Sequence, residues 1–540
     1  MLEFLLYIAL LLGLAYPIGK WMHGMLDRER HYRVERVIYR LTGVNPDQPM
    51  NWKQYLMALM AFNVLGVLLV YLIERTQGML PLNPFKFAGV EAQCAFNTAI
   101  SFASNTNWQS YGGETTMSWF TQMLALTTQN FLSAAVGIAT MMAFARGLRS
   151  TEGTTLGNFW VDLTRCTFTV LLPMSLVFSM LLVWQGVPQT LTQPAAMQTL
   201  EGGSEQLIPL GPAASQIAIK QLGTNGGGFY NVNSAHPLEN PTPLSNFMEC
   251  LAILLLPAAC CHAFALSVGD RRQGWALLAA MTLLFVPLCM LCMHVEVGNW
   301  EGKEVRFGPA ASAIWATATT AASNGSVNCM HDSLTPMGGF VTLLMMLFGE
   351  VVFGGVGCGL YGIVLCVLVA VFVAGLMVGR TPEYLGKKIE TYEIKMVSLG
   401  ILIMPAVVLF MMGAAVLYPP ARAAVFNSGP HGFSEILYAC ASMGNNNGSA
   451  FGGLSANTPY YNLVGGMVML FSRFFIIIPV LAIAGSLAAK KTVPQSAGTL
   501  PTHSPLFVAW LVAVIVIIGA LCFFPSLSLG PVAEYLRYLK

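Results

Sequence analysis

Ser104-Asn105-Thr106-Asn107, Gly223-Thr224-Asn225-Gly226-Gly227-Gly228, Ser323-Asn324-Gly325-Ser326 and Asn445-Asn446-Asn447-Gly448-Ser449 are four short polar stretches set between long apolar ones. Each follows a short, mostly apolar segment of helix-like composition, near 92–103, 213–222, 310–322 and 433–443. Each precedes a segment long enough to cross a membrane. Lipid cannot satisfy backbone N–H and C=O groups, so small, polar, irregular backbone at membrane depth must line water or an ion. Glycine freely adopts the dihedrals that turn carbonyls toward a common axis. One such run alone is as readily an Asn/Gly turn. Four copies of one plan in one polypeptide can surround a single axis.

Composition supports a membrane setting. Of 540 residues, 55% are hydrophobic and 10% charged, with mean hydropathy +0.62; soluble domains carry roughly 25% charged residues. A net charge of +2 gives no footprint for nucleic acid. Windows of about 20 apolar residues fall near 2–20, 54–73, 119–145, 166–184, 246–267, 275–294, 337–378, 396–418, 463–489 and 505–525. The expected fold is therefore an all-α polytopic membrane protein of ten transmembrane helices, with four pseudo-repeats of helix–pore loop–helix around one ion pathway. The repeats run over 54–145, 166–267, 275–378 and 396–489. Residues 1–53 hold the first span and an Arg-rich loop, and 490–540 hold the last span. The first span has its basic residues after the apolar run, the wrong flank for a cleaved signal. With the N-terminus outside, inner segments hold 18 Lys and Arg and outer ones eight, while Arg473 lies within a span. The positive-inside rule thus places both termini and all four polar stretches on the extracytoplasmic side.

The motifs contain no Asp or Glu. Backbone and amide dipoles, helped by the negative C-terminal ends of the short helices, suit a weakly hydrated monovalent cation. Calcium and magnesium want carboxylates. Rings of carbonyls that replace a hydration shell are how potassium filters select. Most of the twelve Cys lie in apolar runs, and Cys289 and Cys292 form one isolated CxxC, which reads as packing. His236, His331 and His431 fall in outer loops without zinc spacing, so no transition metal is expected. The run Gly349-Glu350-Val351-Val352-Phe353-Gly354-Gly355-Val356-Gly357-Cys358-Gly359 should break the seventh span into two half-helices. Glu350 there is an ionisable residue at membrane depth, a functional candidate that could also merely cap a half-helix or pair with Arg. Arg473 could set ion occupancy or snorkel to the outer interface. Gln109 could touch the ion or brace the filter. The chain has no Asp-Lys-Thr-Gly-Thr segment and no GxxxxGK[ST] loop, so no ATP-hydrolysing site is expected on it. It also shows no GxSxG, HExxH or paired intramembrane Asp of a membrane hydrolase.

Several of these stretches carry a family resemblance. Gly223-Thr224-Asn225-Gly226-Gly227-Gly228-Phe229-Tyr230-Asn231 with Asn233-Ser234-Ala235-His236-Pro237, Thr106-Asn107-Trp108-Gln109, Ala322-Ser323-Asn324-Gly325-Ser326-Val327-Asn328 and Asn445-Asn446-Asn447-Gly448-Ser449-Ala450-Phe451 resemble the potassium-translocating subunits of bacterial Kdp pumps. So does Gly379-Arg380-Thr381-Pro382-Glu383-Tyr384-Leu385-Gly386-Lys387-Lys388. At a lower level the chain is similar to Trk and Ktr potassium transporters. The resemblance implies a non-hydrolytic subunit in the bacterial inner membrane. It implies partners too: an ATP-hydrolysing P-type ATPase subunit (KdpB-like) and KdpC-like and small KdpF-like subunits. It implies a K+ filter of Asn105, Thr106, Asn107, Thr224, Asn225, Gly226, Gly227, Ser323, Asn324, Gly325, Asn446, Asn447 and Gly448. Gln109, Glu350, Cys358 and Arg473 would serve the ion path or its coupling, and Arg380 would dock a partner. Cys358 stands where that family carries a small hydroxyl residue. The rival expectation is a stand-alone potassium channel or symporter of Trk/Ktr type.

Overall fold

An apolar run in lipid has no backbone partner but itself, so it closes into helix. The computed structural model describes residues 1–151, 153–494 and 500–539. Ten of its helices are long and apolar enough to cross a membrane: Leu2–Leu26, Trp52–Met79, Thr121–Arg149, Phe159–Trp184, Pro243–Val268, Arg271–Val295, Cys358–Met377, Thr391–Leu417, Pro459–Ala489 and Pro505–Tyr538. They are called spans 1 to 10 below. Spans 3 and 5 form the centre, with 83% and 78% of their apolar windows buried. Small residues such as Ala134, Ala135, Ala258 and Ala259 let neighbours approach there. Spans 1 and 2 sit at the rim, at 28% and 22%. On the Arg-rich side Arg146 pairs with Asp162 at 2.6 Å, and the Tyr55 hydroxyl donates to the same carboxylate at 2.9 Å. Spans 2, 3 and 4 are thereby tied together.

Four short helices, Ala92–Ala103, Ala213–Leu222, Gly308–Ala321 and Gly429–Gly444, each end at one of the polar stretches. The glycine-rich run does break the seventh apolar segment. Pro336–Leu347 stops after twelve residues, 348–357 is irregular, and span 7 starts at Cys358. Two departures from the all-α expectation are small. Ala195–Gln198 pairs antiparallel with Glu205–Ile208, and Glu383–Tyr384 with Lys387–Lys388. The Arg-rich segment expected as a loop contains a ten-residue helix, Arg33–Thr42, closed by Gly43 at φ +70°.

Candidate functional site

The four polar stretches leave their short helices by the same backbone step. Asn105, Thr224, Ser323 and Asn446 have φ of +60°, +49°, +49° and +48°. Two residues on, Asn107, Gly226, Gly325 and Gly448 have +54°, +76°, +95° and +90°. Thr106, Asn225, Asn324 and Asn447 lie between them with negative φ. Each stretch thus repeats the same alternation of positive and negative φ. Asparagine tolerates the left-handed region better than most residues, which is why Asn107 can stand where the other three copies use Gly.

The stretches close a ring. Asn105 Nδ2 donates to the Gly223 and Thr224 carbonyls at 3.2 and 3.0 Å. Asn324 Nδ2 donates to the Lys220 carbonyl at 3.0 Å, joining the second stretch to the third. Asn447 Nδ2 reaches the Thr319 carbonyl at 2.9 Å, and Asn446 Nδ2 reaches Thr106 Oγ1 at 2.9 Å. The strands pass so closely that a methyl on Gly226 would overlap the Asn324 carbonyl oxygen, and one on Gly448 the Thr106 carbonyl oxygen. Among the described residues, no donor reaches the buried carbonyls of Thr106, Asn225, Asn324 or Asn447. This is the one equivalent position at which all four carbonyls lack a donor; at the flanking positions the Thr224 and Gly226 carbonyls are taken, by Asn105 and Asn233, while among the described residues the others there are free. Buried carbonyls are almost always partnered, so four orphans in register mark a place built for something electropositive.

Side chains behind the ring hold its shape. Asn107 Nδ2 donates to Asn130 Oδ1 at 2.7 Å, and Asn225 Nδ2 donates to Ser133 Oγ at 3.2 Å, both partners on span 3. Gln109 grips the Gly228 backbone twice, accepting from its N–H at 2.8 Å and donating to its carbonyl at 3.0 Å. The Gly226 carbonyl accepts the Asn233 amide at 2.6 Å. Asn233 is in turn held by Lys220 Nζ at 2.7 Å, and Lys220 pairs with Glu239, with both side chains wholly buried. Ser449 accepts or donates with Tyr438 at 2.8 Å, and Tyr438 meets His331 Nδ1 at 2.7 Å. Burial, with Lys303 adding to it, pushes the His331 imidazole down to about 3, so it is neutral.

The irregular segment 348–357 lies against the ring through named bonds. Its Val356 N–H donates to Thr224 Oγ1 at 2.9 Å, and its Gly354 N–H donates to the Ala321 carbonyl at 3.1 Å. Glu350, its side chain 9% exposed, pairs with Arg473 at 3.1 Å. Arg473 does not snorkel. It is 5% exposed, donates through Nε to the Ser104 carbonyl at 2.6 Å, and touches Cys358 Sγ. Its three contacts join the first polar stretch, the broken helix and span 7. A cavity of about 70 Å3 opens beside this pair, lined by Glu350, Cys358, Asn446, Met404 and Phe523. On the other side of the ring a vestibule of about 250 Å3 is lined by Gln109, Asn231, Glu435 and Phe451.

The candidate filter residues are thus brought together, with Gln109, Glu350, Cys358 and Arg473 against them. Arg380 is apart, exposed beside the Glu383–Lys388 hairpin. The three His are separate. His236 stacks on Tyr230, whereas His431 lies between Asp332 (2.9 Å) and Glu534 (2.7 Å). Asp332, His431 and Glu435 place potential ligand atoms within 4.8 Å of one another, a grouping that sequence spacing did not suggest. Lys220, Glu239, Asn130 and Ser133, which support the ring, were not legible in the sequence. The available signal was a lone Lys in the apolar helix Ala213–Leu222, three residues before Gly223.

A fold of ten membrane-length helices with four re-entrant stretches around one axis is that of the multi-span potassium transporters. The chain is similar to the solved potassium transporter TrkH from Vibrio parahaemolyticus, with a TM-score of 0.51 and 13% identity over 87% of this chain and 97% of that one. Residues 5–536 match the family described as potassium-transporting ATPase A subunit (KdpA), and the chain belongs to that family. It is 56% identical to a protein of Sorangium cellulosum named potassium-transporting ATPase potassium-binding subunit, over 99% of this chain and 98% of that one. A protein of the same name from Herpetosiphon aurantiacus is 56% identical over 98% of each.

Proposed function

We propose that the ring is a K+ selectivity filter, and that this chain binds extracytoplasmic K+ and passes it to an ATP-hydrolysing partner for uptake. The observation that carries the reading is the set of four uncommitted carbonyls at Thr106, Asn225, Asn324 and Asn447, one from each stretch. Carbonyl dipoles without carboxylates favour a weakly hydrated monovalent ion. The bracing amides keep the ring from collapsing onto a smaller one. Glu350, Arg473 and Cys358 stand on the far side, where the broken helix offers the ion its next polar surface. The names of the relatives fit a subunit of a larger ATPase. A P-type ATPase subunit of KdpB type, with KdpC-like and KdpF-like companions, supplies the hydrolysis, and Arg380 belongs to the docking face. The complex lies in the bacterial inner membrane with both termini of this chain outside.

The test is calorimetric titration of the purified assembly with K+ in a sodium background, with the co-purifying chains identified. Saturable K+ binding that Rb+ displaces and Na+ does not, in an assembly holding a P-type ATPase, is expected. Equal binding of Na+ would refute the filter. K+ binding with no ATPase present would leave a stand-alone transporter.

A further inference from the structure

The helix Arg33–Thr42 takes no part in the filter, and its faces are sharply divided. Val34, Val37 and Leu41 form one stripe, 61%, 54% and 80% exposed. Arg33, Arg36 and Arg40 form a second exposed stripe at the same spacing. Among the described residues none of these three arginines has an ion-pair or side-chain hydrogen-bond partner. The helix's one carboxylate, Glu35, is buried and taken by Arg28, with Arg165 at 4.0 Å. Ten residues cannot cross a bilayer. A short helix with an apolar stripe and a basic flank lies in the headgroup layer and is drawn to anionic lipid.

A second observation is independent of the charge. Behind the helix opens a groove of about 770 Å3, running from Ile38 and Thr42 to Phe62, Phe131, Trp160 and Phe168. Most of the large side chains that line it, Phe62, Phe131, Trp160, Phe168 and Leu172, are apolar and suit an acyl chain. The arginines on the same helix as Ile38, unmatched by carboxylates, suit a lipid phosphate better than the apolar helix of a partner.

We propose that this helix and groove form a binding site for an anionic phospholipid: an acyl chain lies in the groove beneath Ile38, and the phosphates of the surrounding headgroup layer meet Arg33, Arg36 and Arg40. Apolar contact alone would hold any phospholipid. The arginines, unmatched by carboxylates, make the site prefer a negative headgroup.

The test uses the purified full-length protein in its assembly, stripped of lipid and returned to mixed micelles. The probes are phosphatidylglycerol and phosphatidylcholine brominated on the acyl chain, and the readout is quenching of tryptophan. Brominated phosphatidylglycerol is expected to quench saturably at lower mole fraction than phosphatidylcholine, and Trp160→Phe removes that component. Replacing Arg33, Arg36 and Arg40 by Gln should weaken phosphatidylglycerol by roughly fivefold per arginine and leave phosphatidylcholine unchanged. Three results would overturn the proposal. They are equal quenching by the two lipids, a Trp160→Phe protein that quenches like the parent, and a triple variant with unchanged lipid preference that loses a co-purifying subunit instead. The last would make the arginines a protein-docking face.

Discussion

Gly226→Ala adds one methyl group at the tightest crossing of the ring. The new Cβ would overlap the Asn324 carbonyl oxygen and lie 2.5 Å from both the Asn324 carbonyl carbon and the Ser326 nitrogen. Ordinary contact begins near 3.4 Å, so one strand must move by the better part of an ångström. Residue 226 also sits at φ +76°, which costs a residue with a side chain roughly 1–2 kcal/mol. Neither strand yields freely. Asn324 is bonded to Lys220 O, and Gly226 O is held by Asn233. The displaced group is the Asn324 carbonyl, one of the four in register around the proposed ion site. Weakening one of four dipoles by such a shift is expected to reduce K+ affinity at least about tenfold, or 1.4 kcal/mol, and to narrow discrimination against Na+. The assay is calorimetric titration of each ion on the assembly, with thermal unfolding alongside. Gly339→Ala is the control, since its Cβ would meet only the Phe451 ring at 3.7 Å. Unchanged affinity and preference in a folded Gly226→Ala assembly would refute the placement of the ion at this ring.

Glu350→Gln leaves Arg473 buried without its counter-charge, a loss of about 3–5 kcal/mol; transport per ATP should fall while preference for K+ over Na+ holds, and altered selectivity with normal turnover would move Glu350 into the filter. Lys220→Met strands the buried Glu239 and frees Asn233, so both stability and K+ affinity should drop; adding Glu239→Gln should restore stability but not affinity, and full recovery of affinity would show that Lys220 only pairs a charge. The Asp332 and Glu534 carboxylates raise His431 from 6.5 to about 10, so its stabilising tie is fully present below about pH 6.5 and is lost as pH rises through about 10. Thermal unfolding from pH 6 to 11 should show a decline near the top of that range, absent in His431→Gln; identical profiles would remove the tie from the account. A single Cys at position 30, in a background without accessible Cys, should resist an impermeant thiol reagent added outside intact cells; labelling there would invert the topology.

The spans, the short helices and the break near Glu350 were legible because each is written locally. Hydropathy sets the spans, a short apolar run before Asn or Gly sets each short helix, and clustered Gly sets the break. Convergence of the four stretches was readable from their repetition. Their bracing was not, since Asn105 to Thr224 and Asn446 to Thr106 are pairings across 119 and 340 residues with no local periodicity. Charge was the least legible quantity. Lys220 and Lys303 count as outer-loop charges in a topology sum, yet both side chains are buried against Glu239 and Glu296. Arg473 could be read as snorkelling because its partners lie on other elements. The helix Arg33–Thr42 was hidden inside a basic run whose charges alone say loop.

The ring is sealed by its last segment. Asn446 bonds to Thr106 across 340 residues of chain, and the first stretch is made long before the fourth exists. At a synthesis rate of roughly 5–20 residues per second, that interval is about 20 to 70 seconds. Through it the carbonyls of the nascent first repeat sit in a half-built membrane protein, exposed to water defects, lipid headgroups or insertion factors. A ribosome that stops after span 8 leaves a product with every early span inserted and no closed filter. An open ring of three strands has no fourth wall to hold an ion path. Closure of the ring is thereby tied to the order of translation.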